Sequence, residues 1–307
     1  MIDNALEKLA EFNIADASVH VWIFKKRINS EAKRPIYTGR WVESTLQVDE
    51  SLKGVLLGYL DRITEILPYD LMAQNTEASA LHLPTERTFA DLILEQCEEQ
   101  TDQKKIEQVR HINNALFYVV KFVFEEEVVF AVKQTDANWK TRRKSGFIQA
   151  AFKDDELDLL EEETFQIARD FDFLIHGEDV VARNKTKFES VLNYKEAHVE
   201  NFEEIKDEQE FLDVFSDLAA IEEYVGSNKM QLRRVAAIRQ KGYYKDARFI
   251  ESLKDNKDRF RLNIEFDDKG KIVPTAETCR DIFQALLDHR LISHYNHVYD
   301  VQSTVQV

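Results

Sequence analysis

Arg233, Arg234 and Lys241 recur at offsets that put them on one side of a helix, while Leu232, Val235 and Ile238 take the other. Lys229 precedes them, and Arg239, Lys245 and Arg248 extend the positive run, interleaved with Tyr243 and Tyr244. The chemistry open to such a row is neutralisation of phosphate, since each Lys or Arg that meets a DNA phosphate releases condensed counterions. A second group, Lys140, Arg142, Arg143 and Lys144 within "WKTRRKSG", forms a flexible basic loop that can grip phosphates without reading bases. A third cluster includes Lys25, Lys26 and Arg27 on a strand, where Lys commonly guards an edge against aggregation. All three compete with a plainer reading, in which the cations pair with acidic residues and face solvent.

Hydrolytic chemistry has weaker material. Metal-assisted cleavage of a phosphodiester needs converging carboxylates and a polarising cation, and Asp172, Glu178 and Lys185 are the residues that could supply them. Asp172 starts a hairpin and Glu178 sits in its turn, an exposed place poorly shaped for a dry centre. His289, His294 and His297 invite a zinc reading, but zinc wants three or four convergent ligands and no cysteine lies nearby. No Ser/His/Asp, Cys/His or phosphate-loop constellation is visible. No catalytic residue, metal ligand or cofactor is therefore assigned.

The elements that position these residues follow from periodicity. Ile2, Ala5, Leu6 and Leu9 share a helical face; "ASVHVWIFKKR" and "PIYTGRWVESTLQVD" read as strands. "SLKGVLLGYLDRITEILP" is a helix with a stripe of Leu52, Val55, Leu56, Tyr59, Leu60 and Ile63, which Pro68 should stop. Gly54 and Gly58 within it are expected to permit close helix packing. "ALFYVVKFVFEEEVVFAV" gives two antiparallel strands turned by three glutamates, and is too interrupted by charge to span a membrane. In "ARDFDFLIHGEDVVARNKTKFESVLNY" one face of a strand is apolar through Phe171, Phe173 and Ile175, and Gly177 supplies a turn. Thr186 and Glu189 then have capping-box spacing for a helix that buries Phe188, Val191 and Leu192.

The chain has 307 residues and a net charge of −16, with acids massed in "DDELDLLEEE" and "VENFEEIKDEQEFLDVFSD". Its length suggests about two domains. The polar linker "KQTDANWKTRRKSG" divides residues 1–135 from 136–307. The fold class expected is α+β: an N-terminal antiparallel sheet with packed helices, then a C-terminal domain of mixed hairpins and helices. Two distant cysteines, Cys97 and Cys279, imply no disulfide framework, and the N-terminus lacks the apolar core of a signal peptide. A cytoplasmic protein is the simplest reading.

The hairpin "FDFLI…G…VV" running into "NKTKFESVLNY" resembles the heart of the KwaB-like family, the cytoplasmic component of the bacterial Kiwa anti-phage defence system. The acidic "KEAHVENFEEIK" and "EQEFLDVFSDLAAIEEY" agree with it, as do the basic "KMQLRRVAAIRQKGYY" and the closing "RLNIEFDDKGKIVPTAETCRDIFQALLDHRLISHYNHVYD" with its Ser293 and Tyr299. The likeness covers roughly residues 165 to 300, and the first 135 residues do not contribute. It implies a protein that binds double-stranded DNA, hinders phage replication and transcription, and partners the membrane-embedded protein KwaA. Recruitment to the inner membrane would come from that partner, with no direct lipid binding. The sequence is compatible with a homodimer. A metal-dependent nuclease and a structural adaptor without DNA binding are the alternatives.

Overall fold

The computed structural model describes residues 2–29, 34–69, 71–72, 75–108, 111, 115–135, 140–141, 150–153, 155–159, 164–192 and 197–301. The chain divides into two compact units. The first takes Met1–Pro68 and Asn75–Asn193, and the second takes Tyr69–Gln74 and Tyr194–Val307. That division falls well beyond the expected break at 135, because strands on both sides of the presumed linker share one sheet.

The first unit opens with α1 (Ile2–Glu11), β1 (Ser18–Asn29), β2 (Arg34–Val42), α2 (Leu46–Leu60), β3 (Glu65–Pro68), β4 (Ser79–Pro84) and α3 (Ala90–Gln96). It continues with β5 (Phe117–Phe124), β6 (Glu127–Gln134), β7 (Lys140–Thr141), β8 (Ala150–Lys153), β9 (Glu156–Leu159) and β10 (Thr164–Phe165). It ends with β11 (Phe173–His176), β12 (Asp179–Ala182) and α4 (Lys185–Val191). Eight strands form one sheet in the order β2-β1-β5-β6-β11-β12-β4-β3. Its pairs are antiparallel except β3 with β4.

Both faces of this sheet are covered. On one, Val21, Ile23, Val120, Phe122 and Leu174 pack with Leu9 of α1 and Leu52, Leu56 and Tyr59 of α2. On the other, Phe24 stacks on Phe117 with centroids 4.8 Å apart, and Phe173 meets Phe188 of α4 edge-on at 5.4 Å. Gly39 of β2 lies under the Phe24 ring, where a Cβ would come within 2.8 Å of Cζ. Double coverage explains why β11 departs from the expected alternation: Phe173, Leu174 and Ile175 are all fully buried. Burying one such side chain is worth about 1.5–3 kcal/mol.

Three local expectations change. Helix α2 ends at Leu60, and Pro68 instead closes β3. Gly54 and Gly58 have no atom within 4 Å of an added Cβ, so they face open space rather than a packed neighbour. The N-cap of α4 is Asn184, whose side chain accepts from Lys187 N at 3.2 Å; Thr186 lies inside the helix. The β5–β6 hairpin forms as expected, with Phe124 opposite Glu127 and Glu125 at φ 53°. So does the turn at Gly177, with φ 56°.

The second unit contains α5 (Ala197–Asp207), α6 (Gln209–Val214), α7 (Ala219–Val225), α8 (Lys229–Lys241) and α9 (Ala247–Asn256). Hairpin β13 (Glu265–Phe266) with β14 (Ile272–Val273), helix α10 (Cys279–Leu286) and hairpin β15 (Arg290–Ile292) with β16 (Val298–Asp300) complete it. The fold is α+β, with an antiparallel-rich N-terminal sheet and C-terminal helices and hairpins. Helix α8 is central to this unit. Asn228 caps it by accepting from Met230 N and Gln231 N, and Gly242 ends it at φ 67°, a left-handed conformation suited to glycine. Its Leu232, Val235, Ala236, Ala237 and Ile238 are buried.

Candidate nucleic-acid interface

Helix α8, the turn Tyr243–Lys245 and the start of α9 carry the basic run, and most of its described cations have partners within the second unit. Arg239 is held by α5 and by Glu208, which links α5 to α6. Its Nε donates to Glu208 at 2.7 Å, and its Nη1 donates to Asn201 Oδ1 at 3.0 Å and to Glu204. Lys245 pairs with Glu208 at 2.9 Å, and the Tyr244 hydroxyl donates to the same carboxylate. Burial pushes the Glu208 carboxyl up, but hydrogen bonds from Tyr244, Lys245 and Arg239 outweigh it and hold the group at about 2.

The remaining cations divide by what they touch. Arg233 Nε donates to the Leu71 carbonyl, and Gln240, two turns on, donates its Nε2 to the Tyr69 carbonyl at 3.2 Å. Together they fasten Tyr69 and Leu71 to α8. Lys241 donates to the Leu287 carbonyl at 2.9 Å and lies 5.8 Å from the Tyr243 ring centroid. Both Arg234 and Lys241 are half-buried, where the helical offsets suggested open solvent. Arg234 has a long contact of 3.4 Å to Gln231 and, among the described residues, no carboxylate partner. Arg248 pairs with Asp246 two residues away, and its side chain is 89% exposed. Lys229 opens α8.

Of the second basic group, Lys140 sits on β7, paired with β10, in the first unit; Arg142, Arg143 and Lys144 lie outside the described residues. In the third, Lys26 donates to the Ser190 carbonyl at 2.7 Å, so it serves the fold.

The carboxylate alternative is corrected at its first residue. Asp172 is not exposed; it is fully buried. Its side chain accepts from Lys133 at 3.0 Å and from Gln134 N at 2.7 Å, while its carbonyl accepts from Arg183 N and Asn184 N. It thus joins β6 to the start of α4. Burial raises its pKa against the pull of Lys133. Glu178 is exposed in the hairpin turn and Lys185 is buried. His289 is buried, whereas His294 and His297 are exposed, and among the described residues no cluster of His, Cys, Asp and Glu could hold a metal ion. Burial pushes the Cys97 thiol up to about 12 and that of Cys279 to about 11, far from a reactive thiolate.

Residues 112–296 match the family model described as Kiwa protein KwaB-like. This is more than half of the chain. The chain belongs to the Kiwa protein KwaB-like family. Membership makes it a component of Kiwa anti-phage defence. No curated protein and no solved structure matches it. The KwaB-like match begins at 112, so β5 and β6 belong to it, contrary to the expectation that the first 135 residues contribute nothing. The reason is the sheet: β6 pairs directly with β11 of the hairpin that carried the resemblance. Two features of the fold were not foreseen. Neither the grip of α8 on Tyr69 and Leu71 nor the buried Lys133–Asp172 pair has a local signal, since each joins residues remote in sequence.

Proposed function

We propose that this KwaB-like protein binds the backbone of duplex DNA with little sequence preference through the basic run of α8 and α9, and thereby hinders phage replication and transcription. The observation that carries the reading is the concentration of Lys229, Arg233, Arg234, Arg239, Lys241, Lys245 and Arg248 in one helix-turn-helix stretch of a chain whose net charge is −16. A local row can attract a polyanion that the whole chain repels. The reading assigns no catalytic step. Association with the membrane is borrowed from a membrane-embedded partner, KwaA in the family's system. Among the described residues no helix is long and apolar enough to cross a membrane, and the overall charge opposes an anionic leaflet.

Reversal of Arg234 and Arg248 to Glu tests the interface with little risk to the fold, since among the described residues Arg234 has no carboxylate partner and Arg248 pairs with Asp246, two residues away. The double variant should keep the wild-type melting temperature and lose duplex affinity by roughly tenfold or more, with a salt slope shallower by about one to two phosphates. Unchanged affinity in the folded variant, and again after reversal of Arg142 and Arg143, rejects the assignment.

A further inference from the structure

The central arginine of the proposed interface is already occupied. Asn201, Glu204 and Glu208 are spaced three and four residues apart, so they form one ridge along α5 and into its junction with α6. Two carboxylates and an amide oxygen of this ridge take the Arg239 guanidinium, and Glu208 also takes Lys245. A guanidinium binds carboxylate and phosphate with the same fork of N–H donors, so a carboxylate on those donors competes with a phosphate for them. Glu204 keeps its side chain 59% exposed while Arg239 is 29% exposed, which places the competing carboxylate at the solvent side of the pair. Among the described side chains of α5, Phe202 and Ile205 are buried. On another side of α5, Lys206 pairs with Glu203 and with Glu222 of α7.

We infer that the α5 ridge is an internal cover of the basic run, in which Glu204 and Glu208 stand where DNA phosphates would bind and must yield Arg239 before the backbone can engage it. This regulation rests on the DNA-binding reading and deepens it. Free protein is held in a low-affinity state by its own carboxylates. A ligand or partner that draws α5 aside releases Arg239 and Lys245 together, because Glu208 holds both.

The test uses the full chain, a short fluorescent duplex and the variants Glu204→Gln and Glu203→Gln. Each removes one negative charge from α5, so a general field effect acts on both alike. The cover predicts that Glu204→Gln raises duplex affinity roughly fivefold, that Glu203→Gln does not, and that the gain disappears in an Arg239→Ala background. Thermal melting of each variant confirms that the fold persists, and Glu204 is exposed enough for the glutamine to be tolerated. Equal affinities for Glu204→Gln and Glu203→Gln, with wild-type protein binding DNA, overturn the cover and leave the DNA-binding reading standing. Failure of wild type and Glu204→Gln alike to bind duplex overturns both. Binding that appears only on Glu204→Gln substitution supports the cover most directly.

Discussion

Glu208 gathers three donors, from Tyr244, Lys245 and Arg239, and this makes it the residue whose protonation the second unit should feel most. Its folded pKa of about 2 lies below the ordinary 4.5, so its contribution is fully present above pH 4.5 and is lost as pH falls through 2. The contribution is on the order of 3 kcal/mol. Asp172 acts in the opposite sense, since burial raises its pKa and its ionised form costs stability at neutral pH. Glu208→Gln should therefore be less stable than wild type at pH 7, and the gap should close as unfolding is measured at successively lower pH toward 2. A gap that does not change with pH would mean that the carboxylate charge contributes nothing and only the side chain's shape matters.

Helix α2 shows how far an element can be read from spacing alone. The stripe of Leu52, Leu56 and Tyr59 is buried as periodicity requires, yet Gly54 and Gly58 stand on the open side. A glycine within a helix costs about 0.5–1 kcal/mol relative to alanine when nothing needs the missing Cβ. Gly54→Ala and Gly58→Ala should each raise the stability measured by denaturant unfolding by about that amount. Destabilisation by either would mean that a close neighbour requires the glycine. The strands β1, β2, β5 and β6 were legible because local alternation and the glutamate turn specify them. The end of α2 was not: Ile63 continues the apolar stripe, but the chain has already turned extended, with Thr64 N donating to the Ala78 carbonyl at 2.8 Å. The cap of α4 was misplaced for a similar reason, since Asn184 and Thr186 are both competent caps and the choice is made by Asp172, whose carbonyl receives Arg183 N and Asn184 N.

At the scale of the whole molecule, sequence composition pointed to two domains but misplaced their boundary. A polar, basic stretch resembles a linker, and nothing local reveals that β11 returns to pair with β6 or that residues 69–74 belong with the C-terminal unit. The basic run was equally visible as a pattern and equally silent about partners: the carboxylates that hold Arg239 and Lys245 come from α5 and its junction with α6, about 30 residues upstream. Whether this KwaB-like chain engages DNA through phosphate is decided by the affinity of the wild-type protein for unrelated duplexes across a range of salt concentrations. Binding through phosphate gives similar affinities for all sequences and a linear fall of log affinity with log salt, steeper by about 0.9 for each phosphate neutralised. Affinity that ignores salt, or that belongs to one sequence alone, would contradict it.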